Sequence, residues 1–460
     1  MFVGRSYELE QLEALYKTER FQCVVIWGRR RVGKTTLINH FVEEKPVIYF
    51  TGTESTAKEN LENLSRSIAA LQDDDFVAPI YPTYEMALEK ICQLAQKQRI
   101  VLVMDEYPYL AKSYSPISSV LQKYIDLKFK NDSKLFIILC GSSMSFMENQ
   151  VLGYQSPLYG RRTAQFHIKP FNFFEVQEYF QNFNRYDLAT VYGITGGIPQ
   201  YLAFFDDHLS LKDNIINNFL RQNGYMYEEA NNFMKQELRE PAIYNAIIKA
   251  VATGSSKNSE IVSKVGLESS ALANYMDKLI ELGIIAKEKP IGNQSARKAI
   301  YKVKDGMFRF WYKFIPDNNM LIQRNRSEAA WNNIEKLIPN YMGSVFEDIC
   351  MDYLWEVYDT LPVFYNEIGR WWGANPKLKR EEEIDIVAAN DEEAIVCECK
   401  WRNELTDVDI IHTLLERAKL LHYKRCYYYV FSKVGFTEGA KAFAAERQDI
   451  KLIEFAEMVK

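Results

Sequence analysis

One octapeptide constrains the first part of this chain more than any other feature. Gly28-Arg29-Arg30-Arg31-Val32-Gly33-Lys34-Thr35 fits G-x-x-x-x-G-K-[S/T] at every fixed position. It follows the apolar run Cys23-Val24-Val25-Ile26-Trp27 and precedes the helical pattern Thr36-Leu37-Ile38-Asn39-His40-Phe41-Val42. A strand, a glycine turn and a helix in that order are what a phosphate-binding loop needs. The glycines let successive backbone N–H groups point at phosphate oxygens, at the positive end of the next helix. Gly28, Gly33, Lys34, Thr35 and Thr36 are therefore expected to bind ATP. Lys34 would reach the β- and γ-phosphates, and Thr35 would ligate Mg²⁺.

Val101-Leu102-Val103-Met104-Asp105-Glu106 reads as a buried strand ending in two carboxylates. Asp105 is expected in the Mg²⁺ shell, with Glu106 polarising the attacking water. That second carboxylate favours hydrolysis over nucleotide sensing. A further strand, Lys134 to Cys140, ends at Gly141-Ser142-Ser143. Ligands of parallel sheets lie at the carboxyl ends of strands. Ser142 or Ser143 would then meet the γ-phosphate or water, or else is only a turn serine. With Pro46 to Thr51 as another strand, the pattern predicts a three-layer α/β domain.

Several ordered segments carry a resemblance. Phe2-Val3-Gly4-Arg5 with Glu8-Leu9 and Leu12 is similar to the N-terminal nucleotide-contacting box of AAA+-like and STAND ATPases. The phosphate loop, Pro157-Leu158-Tyr159-Gly160-Arg161-Arg162, Lys169-Pro170-Phe171 and Gly196-Gly197-Ile198-Pro199 resemble the archaeal and bacterial ATPase family within that group. The resemblance implies a helical lid after the sheet, with Pro199 near the nucleotide base. Arg161 or Arg162 would stabilise γ-phosphate charge, in cis or from a neighbouring subunit, or the pair is a surface feature. An arginine supplied in trans would imply a homo-oligomer or a partner protein.

At 460 residues the chain exceeds one hydrophobic core. Its composition, 47% apolar and 25% charged, is that of a globular protein. The seven cysteines form no C-x-x-C pair and the five histidines do not cluster with them, which argues against zinc. No apolar run approaches membrane-spanning length and no signal-peptide pattern opens the chain, so no membrane partner and a cytoplasmic location are expected.

Residues 239–304 read as three helices and a hairpin joined through Ile291-Gly292-Asn293-Gln294-Ser295, with Ser269 as an N-cap. This is a winged-helix pattern with Ser269–Leu282 in the recognition position. Residues 249–304 hold ten Lys/Arg against five Asp/Glu, inside a chain of net charge −5. That local surplus suits DNA backbone contact. The recognition helix itself has only Lys278 beside Asp277 and Glu281, so a protein-interaction role stays open. The aromatic segment Met307 to Phe314 belongs to a core, and polar residues 316–332 mark the boundary to the last domain. The expected domains are an ATPase core with lid (1–235), a winged helix (236–320) and a C-terminal domain (336–460).

That last domain holds a second set of charges. Glu383-Ile384-Asp385-Ile386-Val387-Ala388 and Ala394-Ile395-Val396-Cys397-Glu398-Cys399-Lys400-Trp401 read as two strands, with Glu398 and Lys400 on one face. A preceding helix carries Glu347. Carboxylates converging beside a lysine can hold Mg²⁺ and act on a phosphodiester. Glu347, Asp385 and Glu398 would be ligands, with Glu398 and Lys400 catalytic. These residues resemble the PD-(D/E)xK nuclease fold, although Ile384 stands where the fold's proline would be. Gly369-Arg370-Trp371-Trp372, Glu383-Ile384-Asp385 and Glu398-Cys399-Lys400-Trp401 are also similar to a domain of unknown function attached to this ATPase family. Arg370 with Trp371 and Trp372 would touch nucleic acid or pack internally. The fold class expected is α/β throughout: P-loop core and lid, winged helix, nuclease-like domain. Its function would be an ATP switch or motor acting on a DNA nuclease, an ATP-gated binding regulator, or a STAND-type signalling protein.

Overall fold

The computed structural model describes residues 2–72, 79–238, 240–292 and 298–459. Its contacts divide into two compact units, Met1–Pro170 with Ile198–Gln200, and Phe171–Gly197 with Tyr201–Lys460.

The first unit is built on five parallel strands: β1 (Gln22–Trp27), β2 (Val47–Thr51), β3 (Ile100–Asp105), β4 (Leu135–Gly141) and β5 (Ala164–His167). Their spatial order is β2-β3-β4-β1-β5. β1, β3 and β4 are buried along their whole length, which is why they read as unbroken apolar runs. Alternate residues of β1 enter different cores. Cys23, Val25 and Trp27 pack with Leu64, Ile91 and Leu121, while Val24 and Ile26 pack with Leu12, Leu37 and Phe41. Helices thus cover both faces, giving the expected three layers. Because β4 lies between β1 and β3, its carboxyl end falls between the phosphate loop and the Asp105–Glu106 pair.

The second unit begins at Phe171, so the helix Arg185–Thr195 clusters with later helices. The physical link is close packing. Gly193 faces Val345, where a Cβ would come within 2.8 Å of a methyl, and the Tyr341 hydroxyl donates to the Gly193 carbonyl at 2.7 Å. Phe308, Phe310 and Phe314 are buried on the helix Gly306–Gln323, in keeping with a core stripe. That helix runs through Pro316 into the stretch expected to be a boundary. Asn318 supports it by donating from its side chain to the Phe314 carbonyl at 2.9 Å.

Three helices, Pro241–Ala252, Asn258–Val265 and Ser269–Glu281, precede an antiparallel pair, β6 (Ile285–Glu288) and β7 (Ile300–Val303). The third helix is entered from Glu268 without a side-chain cap, so Ser269 is its first residue and not its N-cap. The turn expected at Asn293-Gln294-Ser295 lies outside the described residues. The chain ends in a mixed sheet of β8 (Glu367–Asn375), β9 (Arg380–Ala389), β10 (Glu393–Lys400), β11 (Arg425–Ser432) and β12 (Ile450–Glu454), ordered β12-β11-β10-β9-β8. β8, β9 and β10 are antiparallel neighbours; β10, β11 and β12 run parallel. The helix Val408–Ala418 packs Ile411 and Leu414 against Ile384, Val387 and Val396. No helix among the described residues is long and apolar enough to cross a membrane.

Candidate functional site

The phosphate loop leaves β1 at Gly28 and enters the helix Lys34–Val42. A Cβ on Gly28 would lie 2.3 Å from the Ile168 carbonyl oxygen, so only glycine fits there. Gly33 has φ +87°, the left-handed region that glycine tolerates. Lys34 is 7% exposed, and its ammonium donates to the carbonyls of Gly28 and Arg29, both at 2.9 Å. Burial holds its pKa below the usual lysine range, against the pull of nearby Cys140, Glu106 and Asp105. The Thr35 hydroxyl donates to Asp105 at 3.1 Å, which joins the two motifs across 70 residues. Thr36 follows within the same helix.

Asp105 also accepts from the Tyr49 hydroxyl at 3.1 Å and from the Glu106 backbone N–H at 2.9 Å. The tyrosine sits on β2 opposite Val103, two residues before the pair Thr51↔Asp105, a neighbour that sequence spacing did not reveal. Burial, then the charge of Asp105, pushes the Tyr49 phenol well above its ordinary pKa. Glu106 adopts φ +48°, a strained backbone for a non-glycine residue and common where a side chain must be aimed. The Ser142 hydroxyl reaches both Glu106 carboxylate oxygens at 3.0 Å. Pro199 lies over the loop, its ring 3.7 Å from where a Gly33 Cβ would be. Arg5 donates to the carbonyls of Val32 and Lys169, tying the N-terminal box to the loop.

The arginine pair is engaged elsewhere. Arg161 holds Asp126 through two nitrogens, the shorter contact being 2.6 Å, and Arg162 donates to the Leu152 carbonyl at 3.1 Å. The structure therefore brings Lys34, Thr35, Asp105, Glu106, Ser142 and Pro199 together and gives Arg161 and Arg162 structural partners.

The second constellation forms where β9 and β10 part. Their pairing runs from Ala389–Ala394 to Ile386–Cys397. Asp385, Glu398 and Lys400 lie just beyond that last pair. The Cys399 backbone N–H donates to the Asp385 carboxylate at 2.8 Å. On the other side of β9 the register with β8 slips by one, from Gly369–Val387 to Trp371–Ile384. That bulge at Asp385–Ile386 breaks strict alternation, so Ile384 and Val387 both reach the same core while Asp385 is re-aimed.

Glu398 is buried and ion-paired with Lys400, and with Arg417 at 3.2 Å. Arg417 also holds the buried Glu382 at 3.1 Å. Glu347, on the helix Ile338–Glu356, accepts from Arg370 Nε at 2.7 Å. The same guanidinium reaches Asp348 at 2.9 Å and Glu288 of β6 at 3.3 Å. Burial raises the Asp385 pKa to about 7, with Glu398 and Glu347 adding to it and Lys400 opposing. Burial likewise raises Glu347, against Arg370. Asp385 thus sits among like charges in a half-dry site, but Glu347, Asp385 and Glu398 do not close into a three-ligand group: among the described residues it is Asp206, Asp207 and His208, two of them exposed, whose ligand atoms all lie within 4.8 Å of one another. Arg370 packs inward on acids, so the internal alternative holds for its side chain. Asp348 and Arg417 were not singled out from the sequence, because their partners are distant in the chain, nor was Glu382, which pairs with distant Arg417 as well as with nearby Arg380.

Comparison with known proteins finds similarity over both of these regions of the chain. Residues 2–205 match the model of an ATPase domain predominantly from Archaea. Residues 311–412 match archaeal and bacterial proteins of unknown function, and residues 373–460 match a restriction endonuclease family. The chain is 32% identical to the uncharacterized protein MJECL04 of Methanocaldococcus jannaschii, over 98% of this chain and 100% of that one. A segment covering 10% of the chain is 47% identical to an uncharacterized ATP-binding protein of the same organism, covering 80% of it. The Walker-type ATPase paby2304 of Pyrococcus abyssi shares the fold over 68% of this chain and 96% of its own, at 20% identity and a TM-score of 0.52.

Proposed function

Because the chain belongs to the archaeal P-loop ATPases that carry a restriction-endonuclease-like C-terminal domain, we propose that it is an ATP-hydrolysing switch governing a metal-dependent DNA nuclease. The observation that carries this reading is the hydrogen bond from the Cys399 N–H to Asp385 where β9 and β10 part, which sets Asp385 beside the strand that carries the Glu398–Lys400 pair. In this reading residues 1–235 are the ATPase core and lid, 236–320 a winged helix, and 336–460 the nuclease.

At the first site the loop amides cradle the phosphates, and Lys34 exchanges two backbone carbonyls for phosphate oxygens. Thr35 and Asp105 would hold Mg²⁺, which offsets phosphate charge when bound. Glu106 orients the attacking water and takes its proton, and Ser142 fixes the carboxylate in place. Pro199 packs beside the base. Arg161 and Arg162 would act on the γ-phosphate only after leaving Asp126 and the Leu152 carbonyl.

At the second site Glu347, Asp385 and Glu398 would hold a divalent ion, Mg²⁺ in this reading. Such an ion supplies Lewis acidity and lowers the pKa of water. Lys400 then turns from Glu398 to the phosphodiester, orienting the water and offsetting charge on the strained phosphate.

One assay tests both engines: cleavage of labelled linear DNA with Mg²⁺, with and without ATP. Wild type should cut, Asp385→Ala should not, and Lys34→Ala should lose both ATP hydrolysis and the ATP effect on cutting. Equal cutting by wild type and Asp385→Ala would remove the nuclease assignment. A second reading also has a specific observation behind it. Glu398 is already held by two cations and Glu347 by Arg370, as in a binding platform without catalysis. It predicts no nicking with any metal, and nucleic-acid binding that survives Lys400→Ala.

A further inference from the structure

Two cavities adjoin where the β6–β7 hairpin meets β8 and β9. One, of about 580 Å³, opens onto Glu347, Arg370 and Asp385. The other, of about 600 Å³, is lined by Lys257, Lys287, Lys298, Tyr301 and Trp372. Lys257, Ile300, Trp372 and Glu381 border both, so the two form one cleft that ends at the carboxylate cluster.

The far cavity has the chemistry of a polyanion site with a base platform. Three lysines face one glutamate, Glu381, in a chain that is acidic overall. The first residues of two helices, Asn258–Val265 and Ser269–Glu281, line the same cavity and add their positive ends. Trp372 is half-buried, with its indole N–H held by the Lys298 carbonyl at 3.0 Å, so the ring is fixed in orientation. A fixed aromatic ring beside lysines is how proteins hold unstacked bases.

The same contacts speak against a duplex. The hairpin that a winged helix would lay along a duplex is docked on the nuclease sheet instead. Ile291 N–H donates to the Arg370 carbonyl at 3.0 Å, and Lys302 pairs with Asp348 at 3.5 Å. Lys257 and Glu381 pair at 3.3 Å across the rim shared by the two cavities, both well exposed. A phosphate entering there would take Lys257 from Glu381.

We propose that this cleft binds single-stranded nucleic acid, with phosphates on Lys257, Lys287 and Lys298 and a base against Trp372, and leads the strand to Asp385. The proposal rests on the nuclease reading only for what happens to the strand once it is there.

The test is fluorescence anisotropy of labelled oligo(dT), oligo(U) and a duplex of equal length, with the full chain in EDTA so that nothing is cut. At least one single strand should bind about tenfold or more tightly than the duplex. The Lys287→Glu/Lys298→Glu double variant should weaken that binding about tenfold or more. It should also flatten the log–log salt dependence by about 1.4, at roughly 0.7 per phosphate contact. Trp372→Ala should weaken it about five- to a hundredfold, and Trp372→Phe should keep most of it. Circular dichroism and thermal unfolding like those of wild type show that each variant is folded. Duplex binding as tight as either strand, or wild-type affinity in the charge and tryptophan variants, overturns the proposal. Absence of cutting with any metal, beside the expected binding pattern, would remove the nuclease reading and leave the cleft standing.

Discussion

Arg370 and Glu347 form a 2.7 Å ion pair whose guanidinium is also shared with Asp348 and with Glu288 on the neighbouring hairpin. Lys302 reinforces the group, pairing with Glu288 at 2.5 Å, and Arg309 reaches Asp348 at 3.4 Å. One arginine thus joins the β6–β7 hairpin, the helix of Glu347 and the C-terminal sheet. The three cations also hold the Asp348 carboxyl well below the ordinary carboxylate range, in spite of its burial.

Removing that arginine leaves acids crowded in a site with little water. Arg370→Ala should lower the unfolding free energy of the second unit by about 3 kcal/mol, the usual cost of orphaning buried charge. Arg370→Lys should recover only part, because one ammonium cannot serve Glu347, Asp348 and Glu288 in their present directions. Chemical denaturation of the full chain, followed by tryptophan fluorescence, measures both. A loss below about 1 kcal/mol in Arg370→Ala would show that the network is solvent-screened.

Ser142 offers a finer test of the ATPase site, since its hydroxyl spans both oxygens of Glu106. Glu106→Gln should cut ATP turnover by about a hundredfold while nucleotide binding persists. Ser142→Ala should lower kcat by about tenfold with little change in KM, since it disturbs aim and not the phosphate cradle. Steady-state kinetics separate the two. A raised KM with unchanged kcat in Ser142→Ala would place the serine on the phosphates.

The parts legible in the sequence were those whose chemistry is local. Gly28 to Thr35 is contiguous, and Asp385 and Glu398 sit on consecutive strands of one hairpin, so spacing alone could pair them. Asp105 could be placed at a strand end because β3 is apolar throughout. What stayed hidden depends on tertiary geometry. Tyr49 meets Asp105 only through strand order, and Arg370 meets Glu288 across 82 residues. The bulge at Asp385–Ile386 leaves no mark in an alternating pattern, since isoleucines flank the aspartate on both sides. The packing of the helix Arg185–Thr195 was hidden for a related reason: the fit of Gly193 on Val345 is a shape match between distant helices.

Asp352 gives the second unit a pH dependence. It accepts from the Phe173 N–H at 3.2 Å and the Tyr192 hydroxyl at 3.0 Å. Burial raises its pKa to about 6 against those bonds, with the charges of Asp348 and Glu175 adding to the rise. The folded state therefore holds a proton that the unfolded chain releases near pH 4. Below that pH both states are protonated and nothing is lost; as pH rises from 4 to 6 the ionised group costs stability. Asp352→Asn keeps an oxygen for both donors and should add about 1–2 kcal/mol above pH 7, after discounting for solvent screening. The gain should vanish below pH 4. Thermal unfolding across pH 4–8 measures it, and a gain that does not depend on pH would assign the effect to packing.

Lys400 competes with any cation for Glu398, because in this structure its ammonium is already on that carboxylate. If Glu398 is a metal ligand, Lys400→Ala should bind Mn²⁺ more tightly than wild type, since Glu398 no longer has to leave its lysine. The same variant should not cut, because nothing then offsets charge on the phosphate. Asp385→Asn should show the opposite balance, with metal affinity down about tenfold or more as one ligand charge is lost. Calorimetric titration with Mn²⁺ reads affinity directly, and the rise in unfolding temperature with added metal reads it independently through linkage. Arg417 supplies an internal control: it also pairs with Glu398, yet its second bond to Glu382 should keep it seated while metal enters. Weaker metal binding in Lys400→Ala would mean that the lysine organises the ligands instead of competing for them. No metal binding in wild type would leave Glu398 as a structural ion pair and favour the non-catalytic platform.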